Sequence, residues 1–354
     1  VDPKAGNLSL PVDLIRTFAI VLVVVLHAAS EQVSVASQMS PQGVALWWTA
    51  NIYNSLSRPA VPLFVMLSGA LLLQPAKFGE PLKVFFKKRL NRIALPFLFW
   101  SAAYFVWRAF VNGEVLSAGS IFQGLLSGPY VHFWFLYMIF GLYLLTPVLR
   151  VVVAHVDRSV FSFFMVLWFL GTGVVPLFNI FSPVNFNADI FLFIGWVGYF
   201  LLGTYVLKMH VRSDALLLLL AGGFAWTIVG TYLLVGTKGE LYSHFFYNVY
   251  SFSMIASSFA LFLLLAAVPA NALETRFPRG NRLLRVISVN TLPIYLFHVM
   301  VMDALQNGYF GFQISLATMN PALEVPLISV LTLIITLGVI VPLKKIPILK
   351  RLIG

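Results

Sequence analysis

VDLIRTFAIVLVVVLH, residues 12–27, opens the first long apolar run of the chain and carries two ionisable side chains that such a run does not need, Arg16 and His27. Between them, from Thr17 to Leu26, there is no other ionisable group. Each residue of an α-helix turns the chain by about 100°, so the step from Arg16 to His27 brings the second side chain back to within about 20° of the first. The two share one stripe and are separated by roughly 16 Å along the axis. A guanidinium and a titratable base inside a membrane span are costly, and where present they face a pathway or a site. Spacing alone leaves a plainer alternative open, in which Arg16 snorkels to the headgroups and His27 hydrogen-bonds another helix.

The rest of the chain extends the membrane reading. Of its 354 residues 60% are hydrophobic and only 10% charged, far from the composition of a soluble domain. Ten apolar runs of membrane-crossing length are expected: 12–31, 52–74, 93–112, 132–153, 159–179, 189–208, 214–235, 248–269, 286–306 and 323–343. Gly and Pro interrupt the pattern near 171–190. The expected fold class is all-α and integral to the membrane. One transmembrane domain covers 1–354, with no soluble domain and no internal repeat. The first run is long, contains Arg16 and lacks a small-residue cleavage site, so no cleavable signal peptide is expected. With no Cys in the sequence, disulfides, thiolate metal sites and a cysteine acyl-enzyme are excluded.

The net charge of +11 would suggest nucleic acid in a soluble protein. Its distribution gives a different explanation. One set of connections carries Lys77, Lys83, Lys87, Lys88, Arg89 and Arg92, then Arg150 and Arg158, Lys208 and Arg212, Arg276 to Arg285, and Lys344 to Arg351. The alternating connections hold one basic residue, Lys238. That is a positive-inside pattern. It puts both termini in the cytoplasm of a multi-pass protein of the cell membrane, and it assigns the basic residues no nucleic-acid partner.

Depth then orders the candidates. Helix one enters from the cytoplasm, so Arg16 sits near the inner interface and His27 beyond the middle. Glu31 lies one turn after His27 and can orient its ring; Asp13 lies three residues before Arg16. In KKRLNR, the side chains of Lys88, Arg89 and Arg92 share a face at the expected cytoplasmic start of a span. Guanidinium forks beside a helix N-terminus suit phosphate, although a topogenic basic loop has the same sequence. A charged nucleotide held at Arg16, Arg89 and Arg92, with an extended arm along helix one to His27, has the shape of acyl-coenzyme A. Arg58, before Pro59 and Pro62, is placed to meet the acyl group or its acceptor, or to act as an interfacial anchor. His132, Trp134 and Tyr137 begin a helix on the outer side, where aromatics form the interface belt or stack on sugar rings. His298 shares a mid-span face with Tyr295 and is a second candidate base. His155, His210 and His244 receive no role, and no metal-ligand spacing is present.

Arg16 and His27 form R-x10-H, and Arg89 and Arg92 form R-x-x-R. Together with SRPAVPLFVMLSGALLL (57–73), HFWFLYMIFGLYLLTPVLR (132–150), GYFLLGTYV (198–206) and LPIYLFH (292–298), in this order, the chain resembles the membrane-bound acyltransferase family 3. The SRPAVPLF…SG form is most similar to its surface-polysaccharide O-acetyltransferase branch. The resemblance implies ten spans and transfer of an acyl group, commonly acetyl, from cytosolic acetyl-CoA or another acyl-CoA to an extracytoplasmic glycan. It makes His27 the motif histidine and Arg16, Arg89 and Arg92 the motif arginines. Some relatives carry a C-terminal hydrolase-like domain. None follows the last run here, so either the membrane domain acylates its acceptor directly or a separate partner protein does. The rival class, a secondary transporter or glycolipid flippase, shares the topology and the intramembrane Arg and His, but paired inverted repeats are not seen.

Overall fold

The computed structural model describes residues 11–35, 41–182, 195–209, 211–269, 272–315 and 319–354, with the side chains of 31–35, 41–42, 208, 240 and 272–273 outside the description. The described residues are helical and hold no strand. In chain order the helices are α1 (Val12–Val35), α2 (Pro41–Ser57), α3 (Ala60–Leu72), α4 (Leu82–Phe110), α5 (Ala118–Ser127), α6 (Trp134–His155), α7 (Arg158–Phe169), α8 (Val175–Phe181), α9 (Gly195–Tyr205), α10 (Ser213–Lys238), α11 (Phe252–Ala266), α12 (Ala272–Arg276), α13 (Pro278–Val289), α14 (Thr291–Gln306), α15 (Pro321–Leu343) and α16 (Pro347–Ile353).

Seven helical stretches among the described residues are long and apolar enough to cross a membrane: Val12–Ser30, Gly43–Leu72, Leu82–Phe110, Val131–His155, Arg158–Phe181, Ser213–Lys238 and Pro321–Leu343. The other three expected runs take shorter forms. Part of 189–208 lies outside the described residues and the rest forms α9; 248–269 forms the 15-residue α11; and 286–306 is divided at Asn290 between α13 and α14. The Gly–Pro interruption near 171 does not end its span. Leu170–Val174 widens into a single π turn between α7 and α8, and Thr172 Oγ1 donates to the Trp168 carbonyl at 2.6 Å. Glycine and a back-bonding threonine fit such a wide turn.

The chain divides into two compact units, Val1–Leu71 with Val156–Val289, and Leu72–His155 with Asn290–Gly354. In the first unit α1 packs on α2, α11 and α13, and α10 packs on α11 and α2. Polar side chains tie these helices together. Thr17 Oγ1 donates to the Leu284 carbonyl at 2.8 Å, Ser288 Oγ to Asp13 Oδ1 at 2.6 Å, and Asn51 Nδ2 to the Ile228 carbonyl at 2.9 Å. Thr227 of α10 donates to Ser253 of α11 at 2.9 Å. Buried in apolar surroundings, each such bond is worth on the order of 1 kcal/mol. In the second unit α4 packs on α6, α14 and α16, and α14 packs on α15. Tyr104 donates to the Leu296 carbonyl at 3.0 Å, Trp107 Nε1 to Asp303 Oδ2 at 2.7 Å, and Trp100 Nε1 to the Ile353 carbonyl at 3.3 Å.

Candidate active site

In the first unit, α1 carries Arg16 and His27, both half-buried, on the stripe that the helical spacing demands. Asp13, three residues before Arg16, accepts a hydrogen bond from Ser288. Glu31 lies in α1, with its side chain outside the described residues. Arg58 follows the last residue of α2 and precedes Pro59, whose missing N–H divides α2 from α3. Its charge acts on the His27 ring. Arg58 is held firmly: Nε donates to Asn54 Oδ1 at 2.7 Å, and the guanidinium lies over the Tyr247 ring, 5.2 Å from its centre. Tyr247 in turn donates to Asn51 Oδ1 at 2.8 Å, an oxygen that also accepts from Ser55 at 3.1 Å. Asn51, Asn54, Ser55 and Tyr247 are all buried. A cation in an apolar setting requires such a shell of hydrogen bonds and a ring face. The sequence reading did not single out Asn51, Asn54 or Tyr247. Asn54 stands four residues before Arg58, the helical neighbour spacing, and that was the available signal.

The second unit holds the basic cluster, and its setting differs from expectation. Helix α4 begins at Leu82, so Lys88, Arg89 and Arg92 sit roughly two to three turns inside it. The backbone N–H groups there are already committed to the helix, and the helix-terminus contribution expected from the sequence does not apply. The side chains themselves make the site. Arg89 is half-buried over the rings of Phe85 and Tyr143, at 5.0 and 5.7 Å, and its buried Nε has no hydrogen-bond acceptor among the described residues. Lys88 reaches Glu80 at 2.7 Å. Arg150, only 4% exposed, donates to Glu80 at 3.1 Å and to the Leu72 carbonyl at 3.0 Å, with its guanidinium 4.8 Å from the centre of the Phe85 ring. The Lys88 hydrogen bond, helped by Arg150 and opposed by partial burial, holds the Glu80 carboxyl below its ordinary range. Burial and then Arg89 push the Lys77 ammonium down. Lys77, Lys88 and Arg150 thus gather around one carboxylate, and Arg89 acts on Lys77 and shares the Phe85 ring with Arg150. Arg92 is exposed and adds to Lys350 in pushing half-buried Lys344 down, after burial itself. Lys77, Glu80 and Arg150 were read only as topogenic or not at all.

Among the aromatics expected on the outer side, His132 departs from the expected interface position. His132 lies in the short turn Val131–Phe133 before α6 and is fully buried, as is His298 of α14; their rings are 5.5 Å apart. Tyr295 donates to the His132 carbonyl, and Tyr104 packs 5.1 Å from the His132 ring. His298 Nδ1 lies 2.8 Å from the Tyr295 carbonyl, which only accepts, so this nitrogen carries hydrogen. His132 is therefore a core residue of this unit rather than part of an interface belt. Trp134 alone of the three is exposed; Tyr137 donates to the Leu125 carbonyl at 2.5 Å. A cleft of about 450 Å³ lined by Val206, Met209 and Arg212 includes none of the predicted site residues.

Comparison with curated proteins and with solved structures returns no match. A family model described as an acyltransferase domain, acyltransferase 3, matches residues 11–341. That stretch contains both units' candidate residues, from Arg16 to His298, and the chain belongs to the acyltransferase 3 family.

Proposed function

We propose that this membrane acyltransferase moves an acyl group, most simply acetyl, from cytosolic acyl-CoA to a hydroxyl of an extracytoplasmic or lipid-linked surface glycan. The observation that carries the donor is the cation cluster of Lys77, Lys88 and Arg150 around a single carboxylate, with Arg89 beside it carrying a buried N–H that lacks an acceptor among the described residues. Coenzyme A brings the phosphates such a cluster is short of. Arg92 extends the binding face. The basic connections support ten spans, cytoplasmic termini and residence in the cell membrane. Trp134 and Tyr137 offer ring surface to the acceptor.

His27 is the general base. It takes the proton from the acceptor hydroxyl as that oxygen attacks the thioester carbonyl carbon; when the C–S bond breaks, His27 returns the proton to the departing sulfur. Glu31 orients the ring. A route through acyl-His27 uses the same residue as nucleophile and would show ping-pong kinetics. Delivery to the acceptor is direct or uses a separate partner protein.

The test is acetyl-CoA turnover by purified protein, with and without a membrane extract of lipid-linked glycans, for wild type and His27→Ala. Acceptor-dependent release of coenzyme A, lost by at least about a hundredfold in the variant, supports the reading. Wild-type protein that neither binds nor consumes acetyl-CoA overturns it and favours a transporter or flippase.

A further inference from the structure

Asn54 is 1% exposed, on the last turn of α2. Its side-chain oxygen accepts from Arg58 Nε at 2.7 Å. An arginine has only donors, so this contact fixes which end of the amide is oxygen and which is nitrogen. The nitrogen, Nδ2, is buried and has no hydrogen-bond acceptor among the described residues. A buried donor in that state is costly, and folded chains retain few of them. This one is bonded through its own amide to a guanidinium whose charge acts on His27. One cation and one fixed N–H donor therefore stand together within electrostatic reach of His27, and Arg58 is backed by the Tyr247 ring, itself tied to Asn51.

Acyl transfer from a thioester needs such a pair. As the hydroxyl oxygen bonds to the carbonyl carbon, the carbonyl π electrons move onto oxygen, and that oxygen becomes anionic. As the C–S bond breaks, the charge returns to the carbonyl and the sulfur leaves with the proton held by His27. Donors aimed at the oxygen beforehand stabilise the charged stage at no cost of reorganisation. We infer that Asn54 Nδ2 and the Arg58 guanidinium form the oxyanion-binding pair for the thioester carbonyl, with Asn54 a catalytic residue in its own right. This rests on the acyl-transfer reading above and adds to it the residues that hold the carbonyl oxygen.

Asn54→Asp separates the two duties of the side chain. Aspartate keeps an oxygen on Arg58 Nε, places an acceptor where the Nδ2 donor was and sets a negative charge against the Arg58 cation, so it weakens both members of the pair while keeping their contact. The experiment uses acetyl-CoA labelled with ¹³C at the thioester carbonyl, bound to purified wild type and to Asn54→Asp, and reads the carbonyl stretch by infrared difference spectroscopy, with acetyl-CoA affinity and thermal midpoint measured alongside. Expected are a carbonyl stretch shifted to lower frequency in wild type, loss of most of that shift in Asn54→Asp with affinity and midpoint kept, and a fall in kcat of roughly 10²–10³-fold. If Asn54→Asp keeps the shift and the turnover while Asn54→Ala lowers them, Asn54 only positions Arg58; the inference is then overturned and the acyl-transfer reading stands. If wild type binds no acetyl-CoA, the donor reading itself fails and takes the inference with it.

Discussion

Arg58 illustrates how one residue in this chain is specified by its neighbours. Proline at 59 ends the helix there, Asn54 one turn back supplies an acceptor, and the Tyr247 ring supplies a face. Lysine at this position keeps the charge but has neither the Nε–H that meets Asn54 nor the planar surface that stacks on Tyr247. Arg58→Lys is expected to lower kcat by roughly tenfold or more, equivalent to about 1.4 kcal/mol of transition-state stabilisation, with acetyl-CoA affinity little changed; equal turnover in a coenzyme A release assay would contradict it. Sequence alone placed Arg16 and His27 on one stripe of α1, because a 3.6-residue period and an otherwise apolar helix leave few alternatives. It did not identify Asn54, because an asparagine in an apolar helix is ordinarily an interhelical tie. Its significance depends on which amide atom meets Arg58, and that is a fact of geometry. The burial of His132 was equally illegible, since a histidine beside Trp134 reads as interface until the helices that enclose it are placed.

Between α3 and α9 the backbones themselves meet. A Cβ added to Gly69 would land on the Phe200 carbonyl oxygen, and one added to Gly203 on that of Met66. Both obstacles are main chain and cannot swing away. Gly69→Ala and Gly203→Ala are each expected to cost roughly 1–3 kcal/mol, seen as a lower thermal midpoint in detergent, whereas Gly222→Ala, which meets open space, should cost nothing. The connection between α3 and α4 behaves differently, because its charges oppose one another. Glu80 neutralises part of the cation cluster, and its tie to 59%-exposed Lys88 is weak. Glu80→Gln keeps an acceptor oxygen for only one of the two partners and removes the negative charge, so coenzyme A should bind about threefold tighter or more; a weaker titration would show that Glu80 serves only to shape the loop. Lys77 gives this element its pH dependence. Its ammonium is pushed below the ordinary lysine range by burial and by Arg89, so it loses its proton earlier as pH rises. Affinity for coenzyme A should therefore decline on the alkaline side before exposed lysines titrate, and Lys77→Ala should remove that decline. The basic residues of this connection were legible as a cluster; the buried clamp by Arg150 was not, because it joins residues far apart in sequence.

For the whole molecule, composition and charge alternation settled the class, and the helical membrane fold follows from them. The number of crossings was harder to read, since runs such as 248–269 and 286–306 look continuous in sequence yet end or divide where Ser251 caps α11 and Asn290 separates α13 from α14. The absence of cysteine makes the topology directly measurable. Ser117→Cys is expected to react with a membrane-impermeant maleimide on intact cells, and Lys350→Cys only after permeabilisation; the reverse pattern would invert the proposed orientation. The division of the chain has a further consequence, for synthesis rather than for catalysis. Residues 72–155 find their partners in 290–354, and the stretch 156–289 is made in between. At about 5–20 residues per second, translation keeps the first half of the second unit waiting on the order of ten seconds in the membrane. Arg150 is already made by then, and its bonds to Leu72 and Glu80 need nothing from the later segment. That clamp is in place to hold the end of α3 to α6 while the ribosome is still supplying the helices that complete the fold.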